Sequence, residues 1–120
     1  MRLTLVAIHI EPSPRALPLG PANLASVLRR AFPDLVQTHI VDLYAGQPAA
    51  ECVDRILATA PDGVGLSMYV WNRHLSMEIA ALLKARAPAL FVFAGGPEAT
   101  ADQQRVQADP AVDFVLPGEG

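Results

Sequence analysis

Leu90-Phe91-Val92-Phe93-Ala94-Gly95-Gly96-Pro97-Glu98 is the stretch whose reading decides the fold. An apolar run of strand length lies between Pro88 and a pair of glycines, which predicts a buried parallel strand over residues 90–94. Gly95 and Gly96 allow positive φ and let a ligand approach the backbone without a Cβ in the way. Pro97 and Glu98 suit the first turn of a helix, where proline loses no needed N–H and a carboxylate meets the positive end of the dipole. A strand, two glycines and a helix in succession place a backbone shelf at the carboxyl end of a sheet. Open α/β folds bind ligands at that edge. The same residues are also compatible with a tight turn that binds nothing.

Working outward, the chain alternates. Residues 3–8 (LTLVAI) read as a first buried strand, and residues 11–18 as a loop with three prolines. Gly20-Pro21 opens a helix whose buried face is predicted to be Leu24, Val27, Leu28, Ala31 and Phe32. Residues 36–43 form a second strand. Gln37, Thr38 and His39 interrupt its apolar run, as befits an edge. Pro48 opens a second helix with Ala49, Cys52, Val53, Ile56, Leu57 and Ala60 on one face, and Glu51 and Arg55 spaced i, i+4 on the other. Residues 64–68 form a short central strand and residues 72–87 a third helix, with Leu75, Ile79, Leu82, Leu83 and Arg86 at helical spacing. A weaker helix runs over 98–108 and a last strand over 112–116. Strict β-α alternation in one domain implies a five-stranded parallel sheet covered on both faces, flavodoxin-like (Rossmann-like), in the order 2-1-3-4-5. The Gly-Glu-Gly ending, directly after a strand, reads as a domain cut from a longer protein.

The totals narrow the function. The 120 residues suffice for one core and are too few for two. With 52% hydrophobic and 18% charged residues the chain is globular, and a net charge of −3 argues against a nucleic-acid partner. No apolar run reaches membrane-spanning length and no signal peptide precedes the first strand, so a cytoplasmic protein without a membrane partner is expected. Cys52 is the only cysteine, which leaves no internal disulfide and no iron–sulfur cluster held by this chain; it reads as a small core residue.

Four loops converge on the carboxyl edge: 11–20, 69–72, 95–98 and 117–120. The loop after the third strand, Ser67-Met68-Tyr69-Val70-Trp71-Asn72, carries bulky apolar groups where a solvated loop is expected. Tyr69 and Trp71 either line a wide, flat, apolar ligand or cap the core. Ser67 either donates to that ligand or caps the turn. No catalytic constellation appears, and His9, His39 and His74 fall in no metal spacing. Phosphate-loop and GxGxxG patterns are absent. Neither catalytic residues nor metal ligands are therefore expected in this chain.

Several pieces together resemble one family. Pro18-Leu19-Gly20-Pro21-Ala22-Asn23-Leu24-Ala25, the 64–72 segment, Gly95-Gly96-Pro97-Glu98 and the run from Asp113 to Gly118-Glu119-Gly120 are similar to the amino-terminal cobalamin (B12)-binding domain of B12-dependent radical SAM proteins. The resemblance covers nearly the whole chain. It implies a cobalamin cofactor held here for methyl transfer, rearrangement or cyclisation by the parent enzyme. The downstream radical SAM domain of the same polypeptide is the implied partner, and it alone would carry the iron–sulfur cluster and S-adenosylmethionine. The implied contact residues are Leu17, Leu19, Gly20, Asn23, Ser67, Met68, Tyr69, Val70, Trp71, Asn72, Gly95, Gly96, Pro97, Glu98, Gly118 and Glu119. Ser67 matches the serine near the base of the nucleotide tail, Gly95-Gly96 the glycines that give the tail room, and Glu98 and Glu119 the rim. The Asp-x-His-x-x-Gly motif of many cobalamin domains is missing: with its glycine on Gly20, Leu17 stands where the cobalt-ligating histidine would be and Arg15 where the aspartate would be. The cofactor is thus expected without a histidine ligand. The alternative is a degenerate domain that has lost the cofactor and serves as a structural or substrate-gating module.

Overall fold

A computed structural model describes residues 1–10 and 19–116, with side chains described outside 19–23. Its elements are β1 (Arg2–His9), α1 (Leu19–Ala31), β2 (Gln37–Tyr44), α2 (Ala49–Leu57), β3 (Gly63–Ser67), α3 (Arg73–Arg86), β4 (Phe91–Gly95), α4 (Pro97–Ala101), α5 (Gln103–Ala108) and β5 (Phe114–Val115). The strands form one parallel sheet in the order β2-β1-β3-β4-β5. This is the flavodoxin-like arrangement that the alternation predicts. No helix among the described residues is long and apolar enough to cross a membrane.

Strand parity divides the core in two. Val6 and Ile8 of β1, Val64 and Leu66 of β3, and Val92 and Ala94 of β4 pack with Cys52, Val53 and Ile56 of α2, Ile79, Ala80 and Leu83 of α3, Ala99 of α4 and Val106 of α5. Burial raises the Cys52 thiol pKa, in keeping with a core residue. Leu5 and Phe93 point to the opposite face, where Ala25 of α1 covers them. Among the described residues, α1 is the one helix on that face. Phe91, Phe93 and Phe114 stack there side by side, with ring centroids 5.2–6.3 Å apart. The Phe91 and Phe93 rings occupy the space that side chains at Gly63 and Gly65 would fill.

That uneven cover explains the largest departure from the pattern reading. Val27 (54% exposed), Ala31 and Phe32 (45% exposed) are not part of a buried face; among the α1 residues with described side chains Ala25 is the buried one, with Leu24 and Leu28 half-buried. A helix without helical neighbours buries a narrow stripe, and helical periodicity cannot show how many neighbours it has. The other differences are local. The 98–108 helix is two helices, broken at Asp102, whose φ of −126° and ψ of 43° are not helical. α2 ends at Leu57, before Ala60, which takes a positive φ of 53°. Arg86 leaves the apolar face of α3 to meet Asp54 of α2 at 2.7 Å. β5 shrinks to two residues. Its approach is fixed by Asp113, whose carboxylate accepts from Lys84 Nζ at 2.6 Å and from the Val92 N–H at 2.7 Å. The Lys84 bond holds the Asp113 pKa below the ordinary aspartate value, helped by the Val92 amide.

Candidate functional site

At the carboxyl edge, β3 and β4 pair Ser67 with Gly95. Both follow the parity of Gly65 and Phe93, so both look toward the face that carries α1. The Ser67 hydroxyl has no hydrogen-bond partner among the described residues, and the residue is half-buried. A Cβ built on Gly95 would meet, among the described residues, only the Leu116 carbonyl oxygen, 3.8 Å away. Among the described residues, an unpartnered hydroxyl therefore stands beside an open strip of backbone. Register places Ala7 of β1 and Asp42 of β2 in the same row.

Gly96 differs from Gly95 in kind. Its φ is +94°, and a Cβ there would lie 2.7 Å from the Met68 carbonyl oxygen and 3.0 Å from the Met68 nitrogen. Glycine is required at Gly96 because two loops press together. The Met68 N–H donates to the Gly95 carbonyl at 2.8 Å, and the Met68 carbonyl accepts from the Glu98 N–H at 3.1 Å. The Met68 side chain itself is fully buried in the larger core, so its backbone, not its thioether, faces the shelf.

Asn72 holds the other loop. It is 1% exposed. Its Oδ1 accepts from the Tyr69 N–H at 2.9 Å and from Ser76 Oγ at 3.3 Å, and its Nδ2 donates to the Ser67 carbonyl at 3.1 Å. A longer contact of 3.4 Å reaches the Ile8 carbonyl at the end of β1. With its amide so engaged, Asn72 builds the loop rather than offering polar atoms to a ligand. The loop presents an apolar platform: Val70 is 78% exposed, Trp71 is 49% exposed, and the Trp71 ring stacks on Tyr69 at 4.6 Å with a 12° interplanar angle. Trp71 Nε1 reaches the Ile8 carbonyl at 3.4 Å, tethering the indole over the end of β1. Tyr69 is half-buried and Trp71 exposed, so the stacked pair stands at the edge of the core.

The rim is polar. Pro97 is exposed at the start of α4. Glu98 Oε1 is bound by Arg73 Nη1 at 2.9 Å, and Arg73 Nη2 reaches Asp102 Oδ2 at 2.8 Å. The two carboxylates, Glu98 foremost, raise the Arg73 pKa further above its ordinary value. Sequence reading missed Arg73, although an arginine in the first turn of α3 and two carboxylates four residues apart, Glu98 in α4 and Asp102 at its C-cap, were both visible. It also missed that His9 pairs with Asp42, Nε2 to Oδ1 at 2.8 Å. His39 is exposed on β2. His74 is exposed on the outer face of α3 against Glu78 at 3.1 Å. No group of three His, Cys, Asp or Glu among the described residues is arranged to hold a metal ion. Leu17, Gly118 and Glu119 lie outside the described residues. Leu19, Gly20 and Asn23 lie on the first turns of α1, where only the backbone is described.

A parallel sheet with a glycine shelf, a serine hydroxyl and a stacked aromatic pair at its carboxyl edge defines an α/β domain of flavodoxin-like type, and that edge is where such folds bind ligands. The sequence profile described as the B12 binding domain matches residues 7–120, and the chain belongs to that family. It is 39% identical over 74 residues to the cobalamin-dependent radical SAM methyltransferase TokK of Streptomyces tokunonensis, covering 61% of this chain and 11% of that protein. Over 63 residues it is 43% identical to a 2-(S-pantetheinyl)-carbapenam-3-carboxylate methyltransferase of Streptantibioticus cattleyicolor, covering 52% and 9% respectively. The chain thus spans about a tenth of the length of these curated relatives. Two solved structures share the fold. One is the cobalamin-dependent S-adenosylmethionine radical enzyme OxsB with aqua-cobalamin and S-adenosylmethionine (TM-score 0.73, 23% identity, 92% of this chain and 16% of that one). The other is a cobalamin-binding protein from Desulfitobacterium hafniense DCB-2 (TM-score 0.62, 20% identity, 98% and 53%).

Proposed function

We propose that this chain is the cobalamin-holding domain of a longer radical SAM enzyme, and that the parent reaction is methyl transfer, rearrangement or cyclisation. The observation that carries the reading is the Ser67–Gly95 pair: among the described residues the hydroxyl has no partner and the backbone beside it has room for a ligand. A nucleotide tail is long and narrow and a corrin ring is wide and flat. The row of Ser67 and Gly95 suits the first, and the exposed surface of Val70 and Trp71 suits the second. When bound, cobalamin supplies a carrier for a methyl group or an electron. The chain's own residues hold it. Ser67 donates or accepts a hydrogen bond at the tail, Gly95 lets the tail lie against the sheet, and the Tyr69–Trp71 stack excludes water beneath the ring.

This reading includes a cobalt with no histidine ligand from the chain. Leu17 has no lone pair to offer. The His9 side chain is mostly buried, 14% exposed, against the Tyr44 ring with Nε2 bonded to Asp42, and His39 and His74 lie on the edge strand and the outer face of α3. The downstream domain would cover the upper side of the ring and carry the iron–sulfur chemistry.

A ligand sandwiched between two domains loses much of its buried surface when one is removed. Residues 1–120 alone are expected to bind hydroxocobalamin at least about a hundredfold more weakly than the full-length polypeptide, a difference of about 2.7 kcal/mol. Titration followed by visible absorbance measures it in both, with quenching of Trp71, the one tryptophan of residues 1–120, as a second signal for the domain alone. Equal, tight binding by both would refute the sandwich. Binding by neither would leave the domain a structural or gating module.

A further inference from the structure

We propose that Arg73 is the positioning residue of the Gly95–Gly96 shelf: its two-armed ion pair with Glu98 and Asp102 sets how far α4, and the glycines before it, stand from the Ser67–Asn72 loop. The inference rests on the cobalamin-holding reading for its function and on the ion pair for its geometry.

Arg73 lies in the first turn of α3, immediately after Asn72, whose hydrogen bonds fix that turn to the ends of β1 and β3. Its guanidinium crosses to α4 and meets Glu98 in that helix's first turn at 2.9 Å and Asp102 at its C-cap at 2.8 Å. Both contacts are partly shielded, with side-chain exposures of 29% for Arg73, 21% for Glu98 and 31% for Asp102. α4 itself has only five residues and no side-chain cap, so it has little stability of its own. A second tie joins α4 to the β3 loop: the Glu98 N–H donates to the Met68 carbonyl at 3.1 Å. A planar, two-pronged cation suits this bridge; a lysine reaches one carboxylate at a time. Glu98, a rim contact by resemblance, is thus committed to Arg73, and its effect on a ligand passes through the position of the shelf.

The test uses the full-length polypeptide carrying Arg73→Gln, or the exchanged pair Arg73→Glu with Glu98→Arg. The exchange restores opposite charges across the gap and keeps Asp102 an i, i+4 partner for residue 98. In cofactor-free protein, amide hydrogen exchange at Glu98 and Thr100 is expected to rise about fivefold in Arg73→Gln and to return toward wild type in the exchanged pair. In protein loaded with hydroxocobalamin, the dissociation rate is expected to follow the same order while the melting temperature moves little. Unchanged amide exchange in Arg73→Gln would overturn the proposal. So would faster exchange with unchanged cobalamin release, since the tie would then be structural only. If wild type takes up no cobalamin, the holding function fails separately, and the amide exchange still decides whether Arg73 fixes the shelf.

Discussion

Gly95→Val in the full-length polypeptide is expected to leave the fold standing and to lower cobalamin content at least tenfold. Valine suits a strand, and φ at Gly95 lies outside the left-handed region. Among the described residues, only the Leu116 carbonyl oxygen comes within 4 Å of the new Cβ, at 3.8 Å, so the stability change should stay within about 1 kcal/mol. The added methyls fill the strip beside Ser67 that the proposed tail occupies. A tenfold loss corresponds to about 1.4 kcal/mol, less than the overlap of a tail with two methyl groups should cost. Cofactor content and melting temperature of the purified variant are the measurements. Normal cofactor content in a folded Gly95→Val protein would move the tail away from this row.

Gly96→Val is expected to behave in the opposite way, with the fold as the casualty. Its φ of +94° disfavours any side chain, at about 1–3 kcal/mol. A Cβ 2.7 Å from the Met68 carbonyl oxygen also forces two hydrogen-bonded loops apart. The combined cost should reach about 4 kcal/mol, a melting temperature at least about 10 °C lower. Any loss of cobalamin in this variant follows from the lost loop geometry. The adjacent glycines thus separate two explanations that the sequence leaves joined: room for a ligand at Gly95, and a close backbone crossing at Gly96. A Gly96→Val protein that melts like wild type would contradict the crossing.

The order of strands was legible because each strand is a short apolar run between breakers, and because polar Gln37, Thr38 and His39 mark the edge. The exposed flank of α1 was not. Val27 and Phe32 have helical spacing, and spacing does not report whether another helix lies alongside. The break at Asp102 was also hidden, since its neighbours are ordinary helix formers and no glycine or proline marks it. At the site, the four loops were legible as a topological cluster, but side-chain direction at a strand end was not used. Alternation along β3 turns Ser67 to one face and Met68 to the other, which separates a ligand-facing hydroxyl from a core side chain. Asn72 reads as a polar loop residue in sequence and becomes a buried clasp only when β1 and β3 end beside it. Arg73 and its carboxylates stand 25 and 29 positions apart, so their pairing required the α3–α4 geometry.

Electron paramagnetic resonance of the full-length polypeptide loaded with cob(II)alamin tests the central claim most directly. The account predicts a protein-bound signal without superhyperfine splitting from an axial nitrogen, because the proposed tail runs along β3 and β4 and the His9 ring is mostly buried against Tyr44 and Asp42. A spectrum identical to that of the free cofactor, or a nitrogen splitting that disappears in His9→Ala, would contradict it.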